Sequence, residues 1–125
     1  MANPYNKYKE NSVFVASPEQ LLIMLVDGAV KYTKVARLAL IKGDKERAHK
    51  ELIRVQEIFG ELIRTLDTDA GDFAQELLII YCCIRQNLIE ANIKKDVAII
   101  DETLPLIESV RDTWHEVKLA YDQEH

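Results

Sequence analysis

Few residues in this sequence have the types and spacing that chemistry requires, and Glu46 with His49 is the first pair to consider. The two have the Glu-x-x-His spacing that places metal ligands on one helix face in di-iron bundles. Such a site needs a second motif of this kind and further inward glutamates, which the nearest candidate, Asp112 to His115, does not supply. We therefore expect a solvated surface pair, no metal site and no cofactor.

His49 is also a candidate for histidine phosphotransfer, because modules of that kind are four-helix bundles with an exposed histidine. Their histidine usually lies mid-helix in a basic, glycine-bearing setting, and His49 lacks that setting. Phosphotransfer is kept as an alternative function, beside a helical adaptor with another client.

The cysteines and carboxylates predict no catalytic set. Cys82 and Cys83 are adjacent, and neighbouring side chains on a helix point about 100° apart, so a relaxed disulfide between them is not expected. They also lack the C-x-x-C spacing of zinc and redox sites, and we expect reduced, mostly buried thiols. Five glutamates are expected on solvated faces: Glu51, Glu57, Glu61, Glu76 and Glu90. The sequence thus predicts a binding protein and not an enzyme.

The size and the net charge of the chain limit the classes of partner that it is expected to bind. The chain has 125 residues, enough for one domain, with 48% hydrophobic and 30% charged residues and a formal net charge of −5. An acidic chain repels nucleic-acid phosphates and anionic lipids, so neither nucleic acid nor membrane is an expected partner. The first residues lack the apolar core of a signal peptide, and a cytoplasmic location is expected.

The elements that must position any site are helices. Residues 1–16 are polar with interleaved Tyr5, Tyr8 and Phe14, which predicts a flexible N-terminal arm. Residues 17–125 form the second predicted unit, which starts with Ser17-Pro18 and Gln20 as a capping box. Apolar spacings of three and four predict helices over 18–42, 45–66 and 73–94, and a fourth that Asp96 caps and that reaches about Tyr121.

These helices predict an all-α fold, an antiparallel four-helix bundle with short connections. Pro105 lies inside the fourth helical pattern, where it removes a backbone hydrogen bond. We expect a kink near it or a short separate first turn.

A second apolar stripe is more than a simple bundle needs. On the third helix it comprises Leu78, Cys82, Ile89 and Ile93, on the first Ile23 and Val26, and on the second Ile53 and Ile58. Two interpretations stay open: burial of the first and third helices on two sides, or a hydrophobic groove for a partner helix. The arm offers Tyr5 and Tyr8 to occupy such a groove while it is empty.

Four segments together resemble one known family. Residues 16–30, Ala-Ser-Pro-Glu-Gln-Leu-Leu-Ile-Met-Leu-Val-Asp-Gly-Ala-Val, are similar to its A-S-P-x-x-L-I-x-M-L-Y-D-G-A-I signature. Leu66-Asp67 with Gly71, Ala74, Leu78 and Tyr81 resembles its junction between helices two and three. Leu88 to Asn92 resembles its L-x-x-A-N element, and Arg111 to Trp114 its R-x-x-W. The family is the bacterial flagellar secretion chaperones that bind flagellin.

The resemblance implies a helical bundle that binds the disordered C-terminal segment of flagellin, prevents its polymerisation in the cytosol and assists its delivery to the export gate. The resemblance is also compatible with an export gate component or a co-chaperone as a further partner. It is compatible with a homodimer when no client is bound. The sequence departs from the family pattern at Val26, at Cys82-Cys83 and at Pro105, and the first two positions lie on the second stripe.

Overall fold

The computed structural model describes residues 17–124, which fold into α-helices joined by short connections. The helices are α1 (Pro18–Ile41), α2 (Lys45–Thr65), α3 (Asp72–Lys94) and α4 (Val97–Glu124), and a 3-10 turn (Thr68–Ala70) lies between α2 and α3. Within the described range there is no strand. The predicted all-α fold is confirmed. The predicted arm, with Tyr5 and Tyr8, lies outside the described residues.

Local hydrogen bonds explain where three of the helices begin. The Ser17 hydroxyl accepts from the Gln20 amide at 3.2 Å, and the Gln20 side chain accepts from the Ser17 amide at 2.9 Å, as a capping box requires. A carboxylate of Asp44 accepts from the Arg47 amide at 3.0 Å and begins α2. Asp96 accepts from Ala98 in the same way at 2.9 Å and begins α4. All three caps were predicted from sequence.

Left-handed backbone conformations end α1 and α3. Gly43 follows α1 with φ +80°, a conformation that glycine adopts at little cost. After α3 the position is Lys95, with φ +51°. Its ammonium group donates to the backbone oxygen of Asn92 at 2.5 Å and to the Asn92 side chain at 2.7 Å. These bonds offset part of the cost of a left-handed non-glycine residue.

The helices pack as a closed ring in chain order. α1 contacts α2 and α4, and α3 contacts α2 and α4, whereas within residues 17–124 neither diagonal pair is in contact. Two side-chain contacts link the antiparallel helices α1 and α4: the ion pair of Arg37 with Asp101 at 2.5 Å, and the hydrogen bond between Asp27 and His115 at 2.6 Å. The antiparallel four-helix bundle predicted from short connections is confirmed.

The core lies where the predicted stripes meet. Tyr81 and Phe59 are the largest fully buried side chains, and their rings pack edge to face at 5.9 Å. Around them lie the residues that continue the same apolar spacing in α2 and α3, which are buried except for half-buried Leu66: Ala48, Leu52, Val55, Leu62, Ala74, Leu77, Ile84, Leu88 and Ala91.

α4 is one helix in spite of Pro105, so the expectation of a separate first turn was wrong. Ile100 and Ile107 stay on the same buried face on either side of the exposed proline. The missing proline N–H does not end the helix, because apolar residues before and after it pack in the same core. Val117 continues the same spacing but is 44% exposed, so the buried part of this stripe ends near Trp114.

Candidate functional site

An exposed apolar face on α3 is the main candidate for a binding site. It consists of Leu78, Ile79, Cys82, Ile89 and Ile93, which we call the α3 stripe. Ile79 is 69% exposed and Ile93 78% exposed, Cys82 is exposed, and the remaining two are half-buried. At about 100° per residue these positions lie roughly 100–200° from Leu77, so they point away from the core. The stripe is roughly 22 Å long.

The arrangement of the bundle explains why this face stays uncovered. α3 contacts α2 on one side and α4 on the other, and it has no contact with α1 across the ring. Its remaining side has no neighbour among the described residues. Exposed Gln86 lies within this sector, between Cys82 and Ile89, so the face is mostly apolar with one polar side chain. An uncovered apolar face of this kind marks a binding surface more often than an accident of composition.

The two cysteines lie in this region and are both exposed, which corrects the prediction of mostly buried thiols. The prediction assumed that apolar positions of α3 would find a covering helix. Both residues lie too far round α3 from Leu77 for α2 or α4 to cover them.

Two predicted groove residues are buried in the core. Val26 is 1% exposed and Ile58 is fully buried, so neither presents its side chain to a partner on the surface. The prediction of a surface position was wrong because both side chains pack in the hydrophobic core that the helices share. α1 buries residues on two apolar faces, and Val26 belongs to the second. For α1, the interpretation of burial on two sides is the correct one.

The other predicted residues divide between two regions. His49 on α2 contacts Asn92 on α3 at 3.0 Å, and this contact sets the antiparallel register of the two helices. In that register Ile53 is level with Leu88, one residue from Ile89, and Ile53 and Ile89 are both half-buried. Ile53 thus extends the α3 stripe towards α2. Ile23, also half-buried, is on α1 and lies apart from this surface because α1 does not contact α3.

Sequence reasoning missed Ile79. It lies about 200° from Leu77, almost opposite the buried face, and the same helical-angle count that selected Cys82 would have found it.

An apolar cleft lies at the end of the bundle where α1 and α3 begin. It has a volume of about 270 Å³ and its walls include Leu22, Leu62, Leu66, Phe73 and Trp114. The Trp114 indole donates to the Tyr81 hydroxyl at 2.7 Å, and its ring packs edge to face on Phe73 at 6.4 Å. Burial raises the pKa of Tyr81 to about 12, although the Trp114 hydrogen bond opposes the shift.

The residues first considered for chemistry do not converge. His49 is exposed, and its ring contacts the amide of Asn92. Glu51 and Glu61 are buried, which corrects their predicted solvated positions. Arginines cover them: Arg47 and Arg54 lie 3.3 and 3.6 Å from Glu51, and Arg64 pairs with Glu61. Arginine stems exclude water while their charged ends neutralise the carboxylates.

Residues 17–124 contain no group of three or more histidine, cysteine or acidic side chains placed to hold a metal ion. None of α1 to α4 combines the length and the apolar composition that crossing a membrane requires.

Comparison with known proteins decides the family. Residues 1–121 match the family model described as flagellar protein FliS. The chain belongs to the FliS family. The resemblance found in the sequence motifs is therefore confirmed.

Curated relatives agree with the FliS assignment. The flagellar secretion chaperone FliS of Bacillus subtilis is 34% identical over 112 residues, 90% of this chain and 84% of the relative. The protein of the same name from Campylobacter jejuni is 32% identical, covering 90% and 89% of the two chains. That of Salmonella typhimurium is 31% identical, covering 86% and 82%.

Proposed function

We propose that this protein is a cytoplasmic export chaperone that binds the disordered C-terminal segment of flagellin. In this proposal it prevents premature polymerisation and assists delivery of flagellin to the flagellar type III export apparatus, and it catalyses no reaction. The observation that carries the proposal is the α3 stripe, an uncovered apolar face on a member of a family whose relatives are named flagellar secretion chaperones.

Helix-in-groove recognition suits this face. Ile79, Cys82, Ile89 and Ile93 are separated by three, seven and four residues, the spacing at which apolar anchors of a partner helix align. Flagellin's terminal segments are expected to be amphipathic and to pair with each other in the filament, so covering one blocks polymerisation. Ordering the segment on binding costs on the order of 2–5 kcal/mol of the interaction energy, which keeps the complex releasable.

Tyr5 and Tyr8 are proposed to cover this surface before flagellin binds. Ser17 begins α1 at the same end of the bundle at which α3 begins, so the preceding residues start close to the stripe. Tyr8 precedes Ser17 by nine residues, and an extended chain of that length spans up to roughly 30 Å. Either tyrosine is within reach of Leu78 and Ile79.

Further partners follow from the same proposal. An export gate component or a co-chaperone would bind surfaces that flagellin leaves free. When neither flagellin nor the two tyrosines cover the stripe, two copies would pair through their α3 stripes and form a homodimer.

Charge placed on the α3 stripe tests the proposal directly. Ile79→Glu and Ile93→Glu should each weaken binding of a peptide with the last ~40–60 residues of flagellin by about tenfold or more. Each change removes an isoleucine that the bound peptide would bury, and such burial contributes ~1.5–3 kcal/mol. The measurement is isothermal titration calorimetry. Both side chains are exposed, so the fold should be preserved, and circular dichroism checks this.

Leu38→Glu is the matched control. Leu38 is apolar and 52% exposed, but it lies on α1, which does not contact α3. This variant should bind the flagellin peptide like wild type. Normal binding by both α3 variants would show that flagellin uses another surface, and failure of wild type to bind would favour an adaptor with another client.

A further inference from the structure

A second surface, on the opposite edge of the bundle, has a different chemistry. It is a pocket of about 430 Å³ between α1 and α4, lined by Asp27, Val30, Lys31, Lys34, Val35 and Arg111. In the ring of helices the α1–α4 edge lies across from the α2–α3 edge. The pocket is therefore separate from the α3 stripe.

Three of the four charged residues that line the pocket are positive, whereas the net charge of the protein is negative. Lys31 and Lys34 are exposed and form no ion pair in the described part of the chain. The Arg111 side chain is 29% exposed and pairs with the adjacent Asp112 at 2.9 Å. The carboxylate in the pocket, on Asp27, is already bonded to His115 at 2.6 Å. Two lysine ammonium groups are thus open to an incoming anion, while the chain carries a net charge of −5.

The apolar part of the lining favours a peptide segment over a small ion. Val30, which is buried, and Val35, which is half-buried, line the pocket together with the charged residues, and we call these two valines its apolar floor. Lys31 and Lys34 are one helical turn apart, and residues at that separation have Cβ atoms about 5–6 Å apart. Carboxylates one turn apart on a partner helix have the same separation, and an apolar side chain between them would reach the floor.

We propose that the α1–α4 pocket binds an acidic, amphipathic helical segment of a protein partner. Lys31 and Lys34 attract its carboxylates, Arg111 offers a planar group suited to a carboxylate, and the two valines receive an apolar side chain. Because the pocket and the α3 stripe lie on opposite edges, the acidic partner and the apolar client bind at the same time. The inference does not depend on the identity of that client.

A synthetic peptide tests this surface. The probe is a fluorescein-labelled peptide of about 14 residues, four helical turns, with leucines flanked by glutamates one turn apart. Full-length protein should bind it in fluorescence anisotropy, with an affinity that falls as salt rises, since screening weakens exposed charge pairs. Lys31→Glu with Lys34→Glu should weaken binding by about tenfold or more. A peptide in which glutamine replaces each glutamate should bind equally weakly to the wild-type protein and to the Lys31 and Lys34 double variant.

Lys45→Glu with Lys50→Glu is the matched control, because it makes the same change in net charge at two exposed lysines of α2. It should bind the acidic peptide at least fivefold, or about 1 kcal/mol, more tightly than the Lys31 and Lys34 variant. Equal loss in both double variants would mean that net charge alone sets binding, and the inference fails. It also fails if inorganic phosphate displaces the peptide at equal concentration. Ile79→Glu should leave acidic-peptide binding unchanged, which keeps this test separate from that of the flagellin site.

Discussion

Trp114 and Tyr81 join α4 to α3 through one hydrogen bond of 2.7 Å and a shared position beside the apolar cleft. Trp114 continues the apolar spacing of Leu104 and Ile107 along α4, which predicts a core position for it. The structure adds that its ring is only partly buried and that Phe73 packs on its edge. A residue in this position holds two helices together at the end of the bundle where the α3 stripe begins.

Trp114→Ala should lower the free energy of unfolding by about 3 kcal/mol, the lower end of the range for removal of a large aromatic side chain, because the ring is not fully buried. Urea denaturation followed by circular dichroism measures the change. Tyr121→Ala, at an exposed aromatic of the same helix, is the comparison and should change stability by less than about 1 kcal/mol. A Trp114→Ala protein that unfolds like wild type but no longer binds the flagellin peptide would place Trp114 in the binding site instead.

Tyr81 makes stability depend on alkaline pH. Its pKa is raised from 10.0 to about 12 in the folded protein, first by burial. Between these values the folded state keeps the proton and the unfolded state loses it, so stability present below pH 10 is lost as the pH approaches 12. The loss should be about 3 kcal/mol, since each pKa unit corresponds to about 1.4 kcal/mol.

Tyr81→Phe isolates this effect. The variant should be less stable at neutral pH by about 1 kcal/mol, because the Trp114 N–H loses its acceptor. Its decline between pH 10 and 12 should be shallower than that of wild type in the same urea titrations. Parallel curves for the two proteins would show that Tyr81 ionises alike in both states.

At the scale of the element, α4 carries a local conflict in Pro105. A proline inside a helix costs about 3 kcal/mol relative to alanine, and here it removes the N–H that would bond to the Asp101 carbonyl. Pro105 is exposed, so no core packing depends on its ring. Pro105→Ala should therefore raise the free energy of unfolding by ~1–3 kcal/mol in thermal or urea denaturation. Ser109→Ala, exposed on the same helix, should raise it by less than about 0.7 kcal/mol. Equal gains would mean that Pro105 costs nothing here.

What the sequence predicted well is local. The caps at Ser17, Asp44 and Asp96 depend on side chains two or three residues from the amides they bind, so the pattern alone identifies them. The burial of Val26 could not be predicted in the same way, because it depends on which helices flank α1. Glu51 is a similar case, since its burial depends on arginines that cover it.

The same difference applies to the candidate site. Helical angles selected Cys82 and Ile93 correctly as positions off the core face of α3. They also selected Val26 and Ile58, which occupy equivalent angles on their own helices but face a neighbour. An apolar position away from one buried face becomes a surface only where the ring of helices leaves it uncovered, and that is a property of the assembled bundle.

At the scale of the whole molecule, the closed ring gives this small bundle two separate edges. The α2–α3 edge with the α3 stripe is apolar, and the α1–α4 edge presents unpaired lysines. A single-domain protein with these two surfaces can hold an apolar client on one edge and an acidic partner on the other. This division suits the proposed export chaperone, which would both bind a client and be recognised at the site of delivery.

The proposal requires two states of the α3 stripe, one covered by the first residues of the chain and one covered by flagellin. Residues 1–16 carry Tyr5, Tyr8 and Phe14 in a polar segment, and residue 17 begins α1 at the end of the bundle at which α3 also begins. Burying one tyrosine on the α3 stripe would contribute ~1–3 kcal/mol, offset by the entropy of ordering the segment. The covered state should therefore be only slightly favoured, and flagellin, with a larger apolar face, should displace it.

Deleting residues 2–14 tests this competition. The shortened protein should keep its helical circular dichroism, self-associate more readily in analytical ultracentrifugation and bind the flagellin peptide at least as tightly as the full chain. Tyr5→Ser with Tyr8→Ser in the full chain should reproduce these effects in part, because it removes the aromatic rings and leaves the segment length unchanged. If the deletion unfolds the bundle, the segment belongs to the fold itself, since a removable cover contributes no more than the few kcal/mol estimated above. If flagellin binding weakens in the deletion and in the double serine variant alike, the tyrosines contact flagellin and do not compete with it.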